Sequence, residues 1–154
     1  MPAPAAVSRL SDTEVRIVRR FDAPLGLVWL AFTTPVLVQR WLLGPPGWTM
    51  PVCEMDLRPG GDWHLVLHGP DGTDYRNESV FEEVIPLKKI VYVHRSAPVF
   101  TATITFEALG DQTHLTWHMV FQSREAFIRT VQTFKADEGL KQNVAKLDVY
   151  LQKM

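Results

Sequence analysis

The chain has 154 residues, of which 46% are hydrophobic and 21% are charged. These values are typical of one globular domain that is large enough to bury a core. The 16 basic and 17 acidic residues give a net charge of -1, so charge provides no basis for binding nucleic acid or an anionic membrane surface. Cys53 is the single cysteine, which excludes an intrachain disulfide and a cysteine-rich metal site.

The N-terminal segment shows no periodic pattern. Residues 1–12 contain several Pro and Ala, which predicts a flexible arm, and residues 13–154 are expected to form a single domain. The segment lacks the basic start and the apolar core of a signal peptide. The longest apolar runs are also too short for a membrane span. We therefore expect a cytoplasmic protein.

The first predicted elements are a strand and two short helices. The strand covers 13–22 and places alternate residues on one face, namely Val15, Ile17, Arg19 and Phe21. Asp22 is predicted to cap a helix that runs to about Thr34. Pro35 then begins a second short helix that extends to Trp41, because proline is tolerated in a first helical turn.

The middle of the chain predicts six antiparallel strands that follow one another. Turn-forming residues separate apolar runs at 48–57, 63–68, 75–85, 90–95, 100–109 and 112–121. Gly110-Asp111 suits a two-residue hairpin turn between the last two runs. That turn places Ile104 opposite Trp117, and it places Phe106 opposite Leu115.

The C-terminal part of the chain predicts one long helix, from Arg124 to Gln152, with a bend near Gly139. Apolar residues recur there at helical spacing, at Phe127, Val131, Phe134, Leu140, Val144, Leu147 and Leu151. The predicted order is a strand, two helices, six more strands and one long helix. This order indicates an α+β fold in which a sheet of about seven antiparallel strands carries its helices on one side.

Several short motifs follow the pattern of a known family. They are Arg20-Phe21-Asp22-Ala23-Pro24, Val28-Trp29, Arg40-Trp41, Gly44-Pro45, Asp56-Leu57-Arg58-Pro59-Gly60-Gly61-Asp62-Trp63, Pro70-Asp71-Gly72-Thr73, Glu83-Val84-Ile85-Pro86 and Thr103-Ile104-Thr105-Phe106-Glu107. Together they resemble proteins similar to the C-terminal part of the activator of the heat-shock protein 90 ATPase. That family lies within the START and birch-pollen-allergen-like (SRPBCC) superfamily, and the resemblance covers about residues 14–151.

The resemblance implies a helix-grip fold, in which a curved sheet surrounds the long C-terminal helix and leaves a cavity between them. It implies less about function. Members of the superfamily include lipid and hormone carriers, cyclases and chaperone activators.

The residues themselves give little support for a metal site or a catalytic centre. His64 with His68, and His114 with His118, lie four residues apart on strands, which separates the two rings of each pair by about 13 Å. That distance is too long for one metal ion. The chain contains no nucleophile elbow, P-loop or dinucleotide motif, and Cys53 is interpreted as inert. We expect no cofactor, no metal and no catalytic residue, while surface carboxylates are the preferred interpretation of Asp56, Asp62, Glu82 and Glu83.

The aromatic residues are the most informative set. Several are expected to line the cavity between the sheet and the long helix, or to form a core if the helix packs tightly. The candidates are Trp41, Trp63, Tyr75, Phe81, Tyr92, Trp117, Met119, Phe121 and Phe134.

Three functions remain open on the sequence. The leading hypothesis is binding of a hydrophobic small molecule, such as a lipid, an aromatic or a polyketide-like compound. The first alternative is a co-chaperone-like module that binds a chaperone. The second is a cyclase or hydrolase that uses cavity groups such as Tyr75, Asn77 or Tyr92, although binding without catalysis is favoured. An exposed edge strand would also allow a homodimer.

Overall fold

The computed structural model describes residues 6–9, 13–43, 47–96, 99–128 and 136–152, and for 6–9, 126–127 and 136–142 it describes the backbone alone. The strands within these residues are β1 (Ala6–Arg9), β2 (Glu14–Phe21), β3 (Thr49–Met55), β4 (Asp62–His68), β5 (Asp74–Ile85), β6 (Lys89–His94), β7 (Phe100–Leu109) and β8 (Gln112–Phe121). The helices are α1 (Leu25–Thr33), α2 (Pro35–Trp41), α3 (Arg124–Ile128) and α4 (Ala136–Gln152).

The strands form one antiparallel sheet in the order β1-β2-β8-β7-β6-β5-β4-β3. Strands β3 to β8 follow one another as a meander, and β2 pairs with β8, so the first long strand lies beside the last. Helices α1 and α2 occupy the connection between β2 and β3, and α4 follows the sheet. This architecture confirms the predicted α+β helix-grip fold.

Two predicted strand patterns are confirmed in detail. In the β7–β8 hairpin, Ile104 pairs with Trp117 and Phe106 pairs with Leu115. The alternation in β2 is also present, because Ile17 and Phe21 are fully buried. Cross-strand partners share a face of a sheet, so these registers define an inner face, which carries Ile17, Trp63, Phe81, Tyr92, Leu115 and Trp117.

The prediction that Asp22 caps the first helix is wrong. The N-cap of α1 is Pro24, and no side chain bonds to the end of the helix. Pro24 has an extended backbone, with φ of -63° and ψ of 150°. The first helical residue is therefore Leu25, which is too late for the Asp22 side chain to act as the N-cap.

Two further differences concern the ends of the chain. Residues 6–9 form β1 and pair with β2, which adds a strand that the sequence pattern does not predict. At the other end, α3 and α4 both lie inside the predicted long helix. Residues 129–135 lie outside the described residues, so the continuity of that helix stays a prediction, as does the domain boundary at residue 12.

Helix α4 is attached to the inner face by apolar packing and by an ion pair. Val144, Leu147 and Leu151 are buried in the main core. The Arg19 side chain projects from β2, and its Nη2 donates a hydrogen bond to Oδ2 of Asp148 in α4 over 2.8 Å. Among the described helices, none is long and apolar enough to cross a membrane.

Candidate ligand-binding site

One group of aromatic residues lies where α1 and α2 cover the sheet. We call Trp29, Phe32, Trp41 and Phe106 the helix-capped cluster. The ring of Phe32 makes edge-to-face contacts with Trp41 at 4.7 Å and with Phe106 at 5.3 Å between centroids. Trp29 contacts Phe106 in the same way at 5.2 Å. These contacts are typical of a packed core.

The buried indole N–H of Trp41, in the helix-capped cluster, has a hydrogen-bond partner. The carbonyl of Ala31 would normally accept the N–H of the residue four positions later, but that residue is Pro35, which has none. The indole Nε1 of Trp41 donates to this carbonyl over 2.8 Å. Nearby, the buried hydroxyl of Thr113 donates to the carbonyl of Ala23 over 2.8 Å. Trp41, one of the predicted cavity residues, is therefore a buried core residue whose N–H has a hydrogen-bond partner.

A second group of aromatic residues lies on the inner face of the central strands. We call Trp63, Phe81, Tyr92 and Phe100 the sheet cluster. Trp63 stacks on Phe81 with centroids 5.7 Å apart, and it meets Tyr92 edge to face at 5.1 Å. Tyr92 meets Phe100 at 6.2 Å. Trp63, Phe81 and Tyr92 are all buried, and Tyr92 pairs across the strands with the small residue Ala102.

Trp117 lies between the two clusters. Its ring contacts Phe32 at 5.7 Å, while its indole N–H lies near the hydroxyl of Tyr92. Burial raises the pKa of Tyr92, and the neighbouring Trp117 N–H offsets a part of that rise. The Tyr92 oxygen is an acceptor beside this N–H, but the contact does not meet hydrogen-bond geometry. Among the residues that the structure describes, the Trp117 N–H therefore has no well-formed hydrogen bond.

The indole N–H of Trp63 is in a similar position. It is buried, and within the described part of the chain it forms no hydrogen bond of good geometry. The thiol of Cys53, on β3, lies close to it. Burial raises the pKa of Cys53, and the nearby Trp63 lowers it to a smaller extent. Two buried indole donors thus lack a partner near the sheet cluster, whereas the donor of Trp41 has one.

The other predicted cavity residues are more dispersed. Met119 and Phe121 lie on the inner face of β8, where Phe121 forms a small buried cluster with Val15. Tyr75 lies near the start of β5 and is 45% exposed. Its ring packs on that of Trp48, with centroids 5.3 Å apart. Phe134 lies outside the described residues.

Two residues at the site are not among the candidates predicted from the sequence. Phe100 packs against Tyr92, and the buried ring of His94 stacks on Phe100 with centroids 4.7 Å apart. His94 Nε2 also lies 2.8 Å from Oδ1 of Asn77. The β7–β8 register carries a signal for Phe100, because it places this residue opposite Phe121. The sequence offers no comparable signal for His94.

Charged residues gather on the outer face, at a depression of about 370 Å³. Its lining comprises Glu54, Met55, Asp56, Asp62, His64 and Glu78. His64 Nδ1 lies 2.6 Å from Oε1 of Glu78. Across the described residues, however, no three His, Cys, Asp or Glu side chains are arranged to hold a metal ion.

Comparisons with known proteins identify the family of the chain. Residues 22–152 match the model of the family described as Activator of Hsp90 ATPase homolog 1-like protein. No curated protein matches the chain at a significant level.

Solved structures share the fold over nearly the whole chain. A protein from Nitrosomonas europaea is 25% identical, with 93% of this chain and 96% of that chain covered and a TM-score of 0.85. A protein from Rhodobacter sphaeroides is 22% identical, with coverage of 97% and 99% and a TM-score of 0.87. A protein from Arthrobacter aurescens is 24% identical, with coverage of 97% and 92% and a TM-score of 0.86. The chain belongs to the Activator of Hsp90 ATPase homolog 1-like family, within the SRPBCC superfamily, whose members generally bind small ligands.

Proposed function

We propose that the protein binds a hydrophobic small molecule between the inner face of the sheet and the C-terminal helix. The observation that carries this proposal is the sheet cluster, because its rings on strands β4 to β6 are buried and the half-buried Phe100 extends them to β7. The described helices pack mainly against β2, β3, β7 and β8. The rings of the central strands also belong to the same buried core as Val144, Leu147 and Leu151 of α4, which supports a binding position between these strands and that helix.

The chemistry of the sheet cluster suits an aromatic or polycyclic ligand. Ring faces and edges are both presented, since Trp63 stacks on Phe81 and stands edge-on to Tyr92. Apolar contact of this kind contributes about 25 cal/mol per Å² of buried surface, so a ligand of two to four fused rings can be held without any charge. The proposed lining comprises Trp63, Phe81, Tyr92, Phe100, Trp117, Met119 and Phe121.

Thermal unfolding of the full chain in the presence of ligands tests the proposal. The panel contains aryl ketones of two to four rings, the hydrocarbons of the same shape, sterols and saturated fatty acids. A ligand at 100 times its Kd stabilises the folded protein by about 2.7 kcal/mol, which is a clear rise in Tm. If no class raises the Tm, the proposal is contradicted.

A blocking variant shows whether a ligand binds over the sheet cluster. Ala102 is fully buried on the inner face, where it pairs with Tyr92 on one side and with Met119 on the other. Ala102→Leu places three more carbon atoms where the ligand is proposed to bind, and it should abolish the ligand-induced rise in Tm. The control is Val36→Leu on the exposed surface of α2, which should preserve the rise. Equal shifts in both variants would place the ligand elsewhere.

A second candidate function follows from the family description, which names an activator of the Hsp90 ATPase. We propose chaperone binding only as the alternative to a ligand-binding role. Purified chain added to a bacterial Hsp90 homologue should then raise the rate of ATP hydrolysis in proportion to complex formation. Absence of both complex and stimulation would remove this alternative and leave ligand binding in place.

A further inference from the structure

The two unpartnered indole donors indicate what the ligand must carry. We propose that the bound molecule is uncharged and has a carbonyl-type oxygen that accepts a hydrogen bond from the indole N–H of Trp117, beside the hydroxyl of Tyr92. This inference rests on the proposed function and specifies its ligand class.

The donor of Trp117 is enclosed by the fold. Trp117 is only 3% exposed, and its Nε1 forms no hydrogen bond of good geometry with the described residues. Buried polar groups in native proteins almost always have a partner. An indole nitrogen can donate but cannot accept a hydrogen bond, so a well-formed bond here requires an acceptor that is better placed than the Tyr92 oxygen.

Tyr92 gives this donor a second polar neighbour. The Tyr92 hydroxyl lies near the Trp117 N–H, and Tyr92 as a whole is 5% exposed. Ala102 lies on the intervening strand β7, and its methyl group leaves room for the two larger side chains to lean toward each other. A hydroxyl both donates and accepts, and a carbonyl oxygen has two lone pairs. One ligand oxygen can therefore bind both groups.

Trp63 extends the same arrangement. Its ring contacts Tyr92, and its own buried N–H forms no hydrogen bond of good geometry in the described part of the chain. The nearby Cys53 sulfur is at best a weak acceptor. A ligand with a second oxygen, such as a quinone or a lactone, could use this donor as well.

The charges on the inner face favour a neutral ligand. On β2 to β8, whose side chains the structure describes, Arg19 is the formally charged inner-face residue, and it forms an ion pair with Asp148 at 2.8 Å. A buried carboxylate needs a counter-charge to offset its lost hydration. Because Asp148 already neutralises Arg19, ketones, esters and lactones fit this face better than fatty acids.

Matched ligands test the inference on the full chain. The ketone is 2-acetylnaphthalene, the isosteric alkene is 2-isopropenylnaphthalene and the anion is 2-naphthoate, and each Kd is measured by titration. The ketone should bind at least about tenfold tighter than the alkene, as one additional hydrogen bond to a buried donor allows. The anion should bind more weakly than the ketone.

Single substitutions then locate the hydrogen bond. Trp117→Phe removes the donor and should reduce the ketone-to-alkene preference to about twofold or less, whatever the change in apolar contact that both ligands share. Tyr92→Phe retains the ring and should reduce the preference by a smaller factor. Trp29→Phe, in the helix-capped cluster, is the control and should preserve the preference.

The possible outcomes separate the inference from the proposed function. Equal affinity for ketone and alkene, or a preference that survives both Trp117→Phe and Tyr92→Phe, would overturn the inference while ligand binding stands. Tighter binding of the anion would overturn the neutral ligand class. Failure of these probes together with every class in the ligand panel would overturn both proposals. If Trp117→Phe does not fold, Tyr92→Phe alone decides, because it removes one hydroxyl and leaves the packing intact.

Discussion

The helix-capped cluster and the sheet cluster each contain three buried aromatic rings and one half-buried ring, with edge-to-face contacts in both clusters and a stacked pair in the second. They differ in how their polar atoms are satisfied. The Trp41 N–H bonds to a backbone carbonyl, whereas the N–H groups of Trp63 and Trp117 form no well-formed hydrogen bond among the described residues. Burial alone therefore does not distinguish a core from a binding site in this fold, and the distinction comes from the hydrogen-bond partners.

The largest expected effect tests the helix-capped cluster as a core. Phe32→Ala removes a ring that contacts Trp41, Phe106 and Trp117, and it should lower the free energy of unfolding by about 3–5 kcal/mol. Phe81→Ala, in the sheet cluster, should cost less, because its ring faces the proposed ligand. Urea denaturation measures both values. The reverse order would contradict the assignment of core and site.

Overpacking provides a second comparison between the clusters. Ala31 in α1 and Ala102 in β7 are both fully buried. Ala31→Leu should destabilise the protein by about 1–3 kcal/mol, because a packed core cannot accept extra carbon atoms without strain. Ala102→Leu should cost clearly less in the absence of ligand. Equal losses, measured by urea denaturation, would show that the sheet cluster is packed as tightly as the core.

A matched pair of tryptophan substitutions gives a smaller difference. Trp41→Phe leaves the Ala31 carbonyl without its donor, and because Pro35 cannot replace it, a buried unsatisfied carbonyl should cost about 1–3 kcal/mol in addition to the lost ring volume. Trp117→Phe loses ring volume but no hydrogen bond. Trp117→Phe should therefore lower the free energy of unfolding by less than Trp41→Phe does. A larger loss at Trp117 would indicate an acceptor in the folded protein without ligand.

The smallest expected effect concerns the thiol beside Trp63. Burial raises the pKa of Cys53, so less of the reactive thiolate is present at a given pH. Alkylation by iodoacetamide at pH 8 should be at least about tenfold slower in the folded chain than in the chain unfolded in urea. Mass spectrometry measures both rates. Equal rates would contradict a buried environment next to the site.

Much of the fold could be predicted from local patterns. The period-two alternation in β2 and the Gly110-Asp111 turn give the correct faces and the correct β7–β8 register. Two other features could not be read from the chain. The start of α1 depends on the backbone conformation of Pro24, and β1 forms only through its pairing with β2.

The candidate site could be predicted in outline only. The sequence indicates which aromatic residues are candidates for the cavity, but neither strand nor helix periodicity shows the hydrogen-bond partner of an indole. The partner of each indole depends on three-dimensional detail, such as the carbonyl that Pro35 leaves free for Trp41. The candidates from the sequence therefore include Trp41 on α2 together with Trp63 and Trp117 on the sheet. Of these three, the last two form no well-formed hydrogen bond among the described residues.

Indole N–H resonances provide the most direct test of the central claim. The chain has five tryptophans, and ¹H–¹⁵N spectra of the labelled protein, assigned through single Trp→Phe variants, resolve each side-chain N–H. On addition of 2-acetylnaphthalene, the Trp117 indole proton should shift downfield, as expected for a new hydrogen bond, while 2-isopropenylnaphthalene should produce no such shift. The Trp41 indole should stay at the same position with both ligands. If the ketone binds and the Trp117 proton responds as it does to the alkene, the proposed role of this donor is contradicted.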